Sequence, residues 1–101
     1  MAEGPTEQQV ARQLARLYEV SFGGRERGRY RISMKHLRGL MKRRRLLERQ
    51  RRRIAEELFE LGFVFIDMET FFVVLAQGTF SSYRRVNDRA MADLTTNDLQ
   101  E

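Results

Sequence analysis

The stretch KRRRLLERQRRR, residues 42–53, holds eight cationic side chains and one carboxylate in twelve positions. Arginine keeps its charge at any physiological pH and presents five N–H donors in a planar fork, so a cluster this dense can grip phosphates or carboxylates. Lys42, Arg43, Arg44 and Arg45 form one run, and Arg49, Arg51, Arg52 and Arg53 a second. Arg25, Arg27, Arg29 and Arg31 alternate through GGRERGRYR, whose three glycines break any helix and leave a basic loop. Either group could also be no more than a wet, charged surface or a flexible connection.

The distribution of charge is more informative than the net +5. Residues 1–41 carry +4, residues 42–53 carry +7 and residues 54–101 carry −6. Such polarity favours a partner on the basic side, nucleic acid first, because a concentrated positive field releases counterions when it meets phosphates.

Other chemistries lack their residues. There is no cysteine and a single histidine, His36, which excludes thiolate chemistry and leaves no basis for a zinc or histidine-pair site. A metal nuclease needs a carboxylate cluster and usually a lysine, but Lys35 and Lys42 are not spaced from Asp67 and Glu69 in that way. Glu56, Glu57 and Glu60 fit a solvated helical face, and GGRERG lacks the GKS or GKT ending of a phosphate-cradling loop. We expect no enzyme activity and no cofactor. No apolar run approaches the roughly 18 residues of a membrane span, and the polar N-terminus does not resemble a signal peptide, so the expectation is a cytoplasmic protein.

The elements that must position these arginines fit one domain over residues 1–101. Thr6 and Gln9 make a capping box, and Val10, Leu14, Leu17 and Tyr18 recur at helical spacing, which predicts a helix over 7–19. RYRI, residues 29–32, alternates as a short strand would. Ser33 can cap a second helix with Met34, Leu37, Leu40 and Met41 on its apolar stripe. A third helix over 47–61 buries Leu47, Ile54, Ala55, Leu58 and Leu61 and ends at Gly62, suited to a left-handed position. FVFID and TFFVVLA then read as a hairpin. Ser81 or Ser82 can cap a last helix over 82–94, with Tyr83, Val86, Ala90, Met91 and Leu94 on one side, before a polar tail over 95–101.

The order helix, short strand, helix, basic turn, helix, hairpin resembles a winged helix-turn-helix, and RRRIAEELFELGFVFID resembles its passage from recognition helix into wing. The likeness rests on element order, not on a motif. It implies a mainly α fold with a small β-hairpin, a winged-helix core over 7–81 and an additional C-terminal helix. It further implies a sequence-specific binder of double-stranded DNA, such as a small transcriptional regulator or a plasmid or phage accessory protein. Residues 34–42 would be the supporting helix, 43–47 the turn, and 48–61 the helix that enters the major groove. The candidate base readers are then Arg49, Gln50, Arg52 and Arg53. Arginine can donate twice to guanine O6 and N7, and glutamine can pair with adenine. Lys42, Arg43, Arg44 and Arg45 would hold phosphates, with Arg25, Arg27 and Arg29 as a second group. The hairpin tip, DMET, carries Asp67 and Glu69 where a DNA-gripping wing usually carries cations, so this wing is not expected to grip phosphate.

The turn has a competing reading. Positions 37, 40, 44, 47, 51, 54, 58 and 61 keep a spacing of three and four, which one continuous helix over 34–61 would also satisfy. Two of those positions are Arg44 and Arg51, and a bare arginine in an apolar seam is costly. A turn that releases both to solvent is the preferred account. The same residues would also serve a protein-interaction module with a long basic helix and an apolar hairpin, or RNA binding by the same arginines. Six of seven phenylalanines lie between 59 and 80, and both strands of the hairpin are apolar on both faces. Either residues 82–94 cover the second face or a homodimer forms through the hairpin or the terminal helices.

Overall fold

The computed structural model describes residues 4–100. Thr6 opens the first helix, α1 (Glu7–Leu17), as its capping box requires: Thr6 Oγ1 accepts from the Gln9 N–H at 3.1 Å and Gln9 Oε1 accepts from the Thr6 N–H at 2.8 Å. The helix stops two residues before position 19. The N–H groups of Tyr18, Glu19 and Val20 bond three residues back, to Ala15, Arg16 and Leu17, which tightens and ends the last turn.

The glycine-rich segment that follows is ordered by its own turn. Phe22 and Arg25 exchange two main-chain hydrogen bonds around Gly23 and Gly24, whose φ angles of 61° and 82° a two-residue hairpin turn needs. It leads into β1 (Tyr30–Ser33), and Ser33 then caps α2 (Met34–Met41), its Oγ accepting from the His36 N–H at 3.1 Å.

Two helices, not one, cover residues 34–61: α2 ends at Met41 and α3 spans Glu48–Glu60. Gly62, at φ 96°, turns the chain into β2 (Phe63–Asp67), and β3 (Phe71–Ala76) returns. The sheet has three antiparallel strands in the order β1-β3-β2, so β1 joins the expected hairpin and the molecule is a small α+β fold. Its inner face, with Tyr30, Ile32, Phe72 and Val74, meets Val10, Leu14, Leu37, Met41, Ile54 and Leu58 in one core. Phe65 stacks on Phe72 at 5.0 Å between ring centroids.

Two expectations about burial need correcting. Leu46, not Leu47, enters the core, because Leu47 sits one residue outside α3 with extended backbone and stays 40% exposed. Leu61, at the helix end, is exposed as well.

The C-terminal part also differs. Ser81 and Ser82 close a short 3₁₀ helix (Gln77–Ser82), with Ser81 Oγ donating to the Gly78 carbonyl. The last helix, α4 (Asp88–Gln100), starts six residues later than expected, capped by Asn87 Oδ1 accepting from the Ala90 N–H at 2.8 Å. It runs through most of the expected polar tail, whose last residue, Glu101, lies outside the described residues. α4 does not lie over the hairpin. The radius of gyration is 17.9 Å, where about 13 Å suits a compact chain of this length, so α4 forms an arm.

Candidate nucleic-acid interface

The break between α2 and α3 is made by a lysine. Lys42 takes left-handed backbone, φ 56° and ψ 45°; its N–H bonds to the Gly39 carbonyl and the Arg43 N–H to the Arg38 carbonyl. That pair of bonds is a Schellman motif, normally completed by glycine. Arg43, Arg44 and Arg45 follow in non-helical, solvent-exposed chain that bends at Arg44, and Leu46 then anchors the turn in the core.

α3 starts without a side-chain cap from its own N-cap residue, since leucine has no acceptor. Gln50 Oε1 instead accepts from the Leu47 N–H at 2.9 Å, and Gln50 is 8% exposed. This corrects its assignment as a base reader: it faces inward with Ile54 and Leu58, and its amide stabilises the helix start. No N-cap side chain accepts from the first-turn amides, which leaves N–H groups at the positive end of the helix dipole for an anion.

At 100° per residue, the face opposite Gln50, Ile54 and Leu58 holds Arg49, Arg52 and Glu56. Arg49 is exposed and makes no ion pair among the described residues, while Arg52 meets Glu48 only at 3.9 Å. Arg53 differs. It pairs with Glu57 at 2.9 Å and Glu56 at 3.6 Å, so this candidate base reader sits in an acidic setting on the α1 flank, in a groove with Gln8, Arg12 and Glu60.

Arg51 occupies the other flank. It is not released to solvent: its Nε donates to Asp67 Oδ2 at 2.8 Å and its Nη1 to the Leu46 carbonyl at 2.7 Å. Arg44 alone of the two seam arginines is solvated, because Arg51 found a carboxylate on β2 that sequence spacing does not reveal.

An open groove of about 790 Å³ joins Lys42, Arg43, Arg44, Arg45 and Arg49, with Glu7 as its carboxylate. Lys42 also lines a polar groove of about 470 Å³ with Arg12 and Arg16 of α1. These two arginines, exposed at i and i+4, extend the cationic surface; their spacing is the one sequence signal for them, overshadowed by the denser run after residue 42.

Arg25, Arg27 and Arg29 are not brought to this surface. Their loop adjoins Tyr30, which pairs with Val74, whereas Asp67 ties α3 to the opposite end of the sheet, where Ser33 pairs with Phe71. Arg27 is paired with Glu19 at 2.9 Å. A separate groove of about 560 Å³, lined mainly by Leu17, Phe22, Tyr30, Ile32 and Leu40 with Arg31 and Lys35 also on its wall, is largely apolar and holds none of the residue 42–53 cations.

Among the described residues no group of three metal-ligating side chains converges, and no helix is long and apolar enough to cross a membrane. Comparison of the chain with protein-family models, with curated proteins and with solved structures finds no match.

Proposed function

We propose that this chain is a winged helix-turn-helix module that binds double-stranded DNA in a sequence-dependent way, with α3 in the major groove and without enzymatic activity. The observation that carries the reading is the cationic surface around the start of α3. Lys42, Arg43, Arg44, Arg45 and Arg49 are all exposed, and none has an ion-pair partner among the described residues. Like charges crowd there against each other and against the positive end of the helix dipole, an arrangement that is unfavourable alone and favourable once phosphates approach.

The roles divide by position. Arg49 and Arg52, on the outward face of the first turns of α3, suit base edges, where a bidentate arginine selects guanine. Lys42 to Arg45 in the turn, with Arg12 and Arg16 on α1, suit phosphates on either side of the groove. Element order supports the architecture: α1, β1, α2, turn, α3 and a β2–β3 hairpin follow in sequence. The hairpin plays no phosphate-gripping part, since Glu69 is anionic and the Asp67 carboxylate already serves Arg51.

Selection of bound duplexes from a random pool, read with a salt titration, tests this. Engagement of about five phosphates gives a log–log salt slope near −4.5, and selected duplexes bind at least about 10³-fold tighter than random ones. Equal binding of selected and random duplex would overturn sequence-dependent recognition.

A further inference from the structure

β1 is an edge strand of the sheet, and its residues Tyr30, Arg31 and Ile32 border the apolar groove. The ladder shows which of its peptide groups face away from β3. The Met34 N–H donates to the Thr70 carbonyl at 2.9 Å, and Ile32 and Tyr30 stand opposite Phe72 and Val74 in the same register. Residues that bond to a neighbouring antiparallel strand alternate with residues that do not, so Tyr30, Ile32 and Met34 direct their main-chain groups to β3. β3 agrees from its other side, where the Phe71 carbonyl accepts from Met68 and the Gln77 N–H donates to Gly62, leaving Phe72 and Val74 for β1. The N–H and C=O of Arg31 and the N–H of Ser33 therefore point off the edge. Among the described residues no group outside the sheet bonds to them.

The groove beside this edge has apolar walls and cationic borders. Leu17, Phe22, Ile32 and Leu40 line it, and Phe22 is 44% exposed with its ring 5.7 Å from that of Tyr30. Lys35 is exposed on the α2 wall, while Arg31 carries its guanidinium to the outer face of the sheet, 5.5 Å from the centroid of the Phe71 ring. Neither has an ion-pair partner among the described residues, and no carboxylate lines the groove.

We propose that this edge binds an extended peptide of a partner protein, added as a fourth strand beside β1, with apolar side chains in the groove and acidic ones beside Arg31 and Lys35. The outward peptide group of Arg31 is what a further strand bonds to, and it is of no use to a helix. Strand alternation sends every second side chain of the peptide inward to Leu17, Ile32 and Leu40 and the others outward to Arg31, which selects apolar and acidic residues in turn. A second copy of β1 is a poor fourth strand, because it would set Arg31 opposite Arg31. A nucleic-acid backbone would leave the apolar walls in water.

The proposal does not rest on DNA binding and is tested without DNA. A displayed library of random peptides, selected against the full chain, should enrich sequences that alternate apolar and acidic residues. In a synthetic peptide so selected, N-methylation of alternate main-chain amides should weaken binding about tenfold each, and methylation of the intervening amides should not. Arg31→Pro removes an N–H that no bond within the chain uses, so its urea unfolding should stay near that of Arg31→Ala. Its affinity for the peptide should nevertheless fall about tenfold below that of Arg31→Ala, which loses the charge alone. Lys35→Glu should turn the selection away from acidic peptides. The methylated peptides are read on the wild-type chain, so the result stands even where Arg31→Pro unfolds. Failure to enrich any peptide would overturn the proposal, as would selected peptides that lack acidic residues or bind equally well whichever amides are methylated.

Discussion

Arg51 and Asp67 clasp the start of α3 to the end of β2. The Arg51 Nε donates to Asp67 Oδ2 at 2.8 Å, its Nη1 donates to the Leu46 carbonyl, and Asp67 Oδ1 accepts from the Glu69 N–H. One ion pair thus fixes the end of the preceding turn, the first turn of α3 and the hairpin tip. With side chains 23% and 38% exposed, it is screened less than a surface pair but avoids full desolvation. Arg51→Ala should cost roughly 1–3 kcal/mol of stability, more than Asp67→Asn, which keeps an acceptor for Glu69. A double-mutant cycle by urea unfolding should give a coupling of about 1 kcal/mol, and strict additivity would show that the clasp contributes nothing.

The cations of residues 42–53 should separate into distinct classes in binding. Arg49→Ala and Arg52→Ala are expected to lose about 1–3 kcal/mol against the preferred duplex and little against random DNA. Arg43→Ala and Arg44→Ala should weaken every duplex alike and make the salt slope shallower by about 0.9 each. Gln50→Ala belongs to neither class: by removing the acceptor for the Leu47 N–H it should lower stability by about 0.5–2 kcal/mol. Competition titrations at two salt concentrations, with urea melts of the same variants, check all five.

Legibility from sequence depends on whether a residue acts locally. The Thr6–Gln9 capping box, the Ser33 cap and the Gly62 stop are set by groups within a few positions, and each stands where the sequence places it. Gln50 and Arg51 depart from expectation although α3 starts at Glu48, where the sequence places it. Which face of the helix turns inward goes with Leu46 rather than Leu47 entering the core, a choice two adjacent leucines do not encode. Asp67 is sixteen residues from Arg51, beyond any periodicity argument. The arm departs for a related reason: its apolar spacing signals an amphipathic helix, but Asn87 rather than Ser81 or Ser82 caps it and it does not pack over the hairpin.

Lys42 offers a case in which stability and binding should move in opposite directions. Left-handed backbone at φ 56° strains a residue with a Cβ by roughly 1–2 kcal/mol, and glycine adopts it without that strain. Lys42→Gly should therefore raise stability by about 1 kcal/mol while weakening DNA binding and making its salt slope shallower by about 0.9. Lys42→Asn, also tolerant of this region, should show the same binding loss with a smaller gain. If Lys42→Gly instead destabilised the fold, the left-handed turn would not be what separates α2 from α3.

Tyr30 makes the folded state sensitive to alkali. Its hydroxyl donates to the Leu14 carbonyl at 2.6 Å, and burial in the core holds the phenol well above its usual range. A raised folded pKa means that the contribution is complete below the unfolded value, near 10, and drains away as pH climbs from there toward the folded value. In that window the unfolded chain has released a proton that the folded chain retains, so stability should fall by up to about 1.4 kcal/mol per pH unit from this group alone. Tyr30→Phe keeps the ring but removes both the hydrogen bond and the titration. It should be about 1 kcal/mol less stable at pH 7 and lose less between pH 10 and 12. Urea unfolding of both proteins across that range isolates the Tyr30 contribution as their difference; parallel curves would mean that the phenol ionises as readily in the folded chain as in the unfolded one.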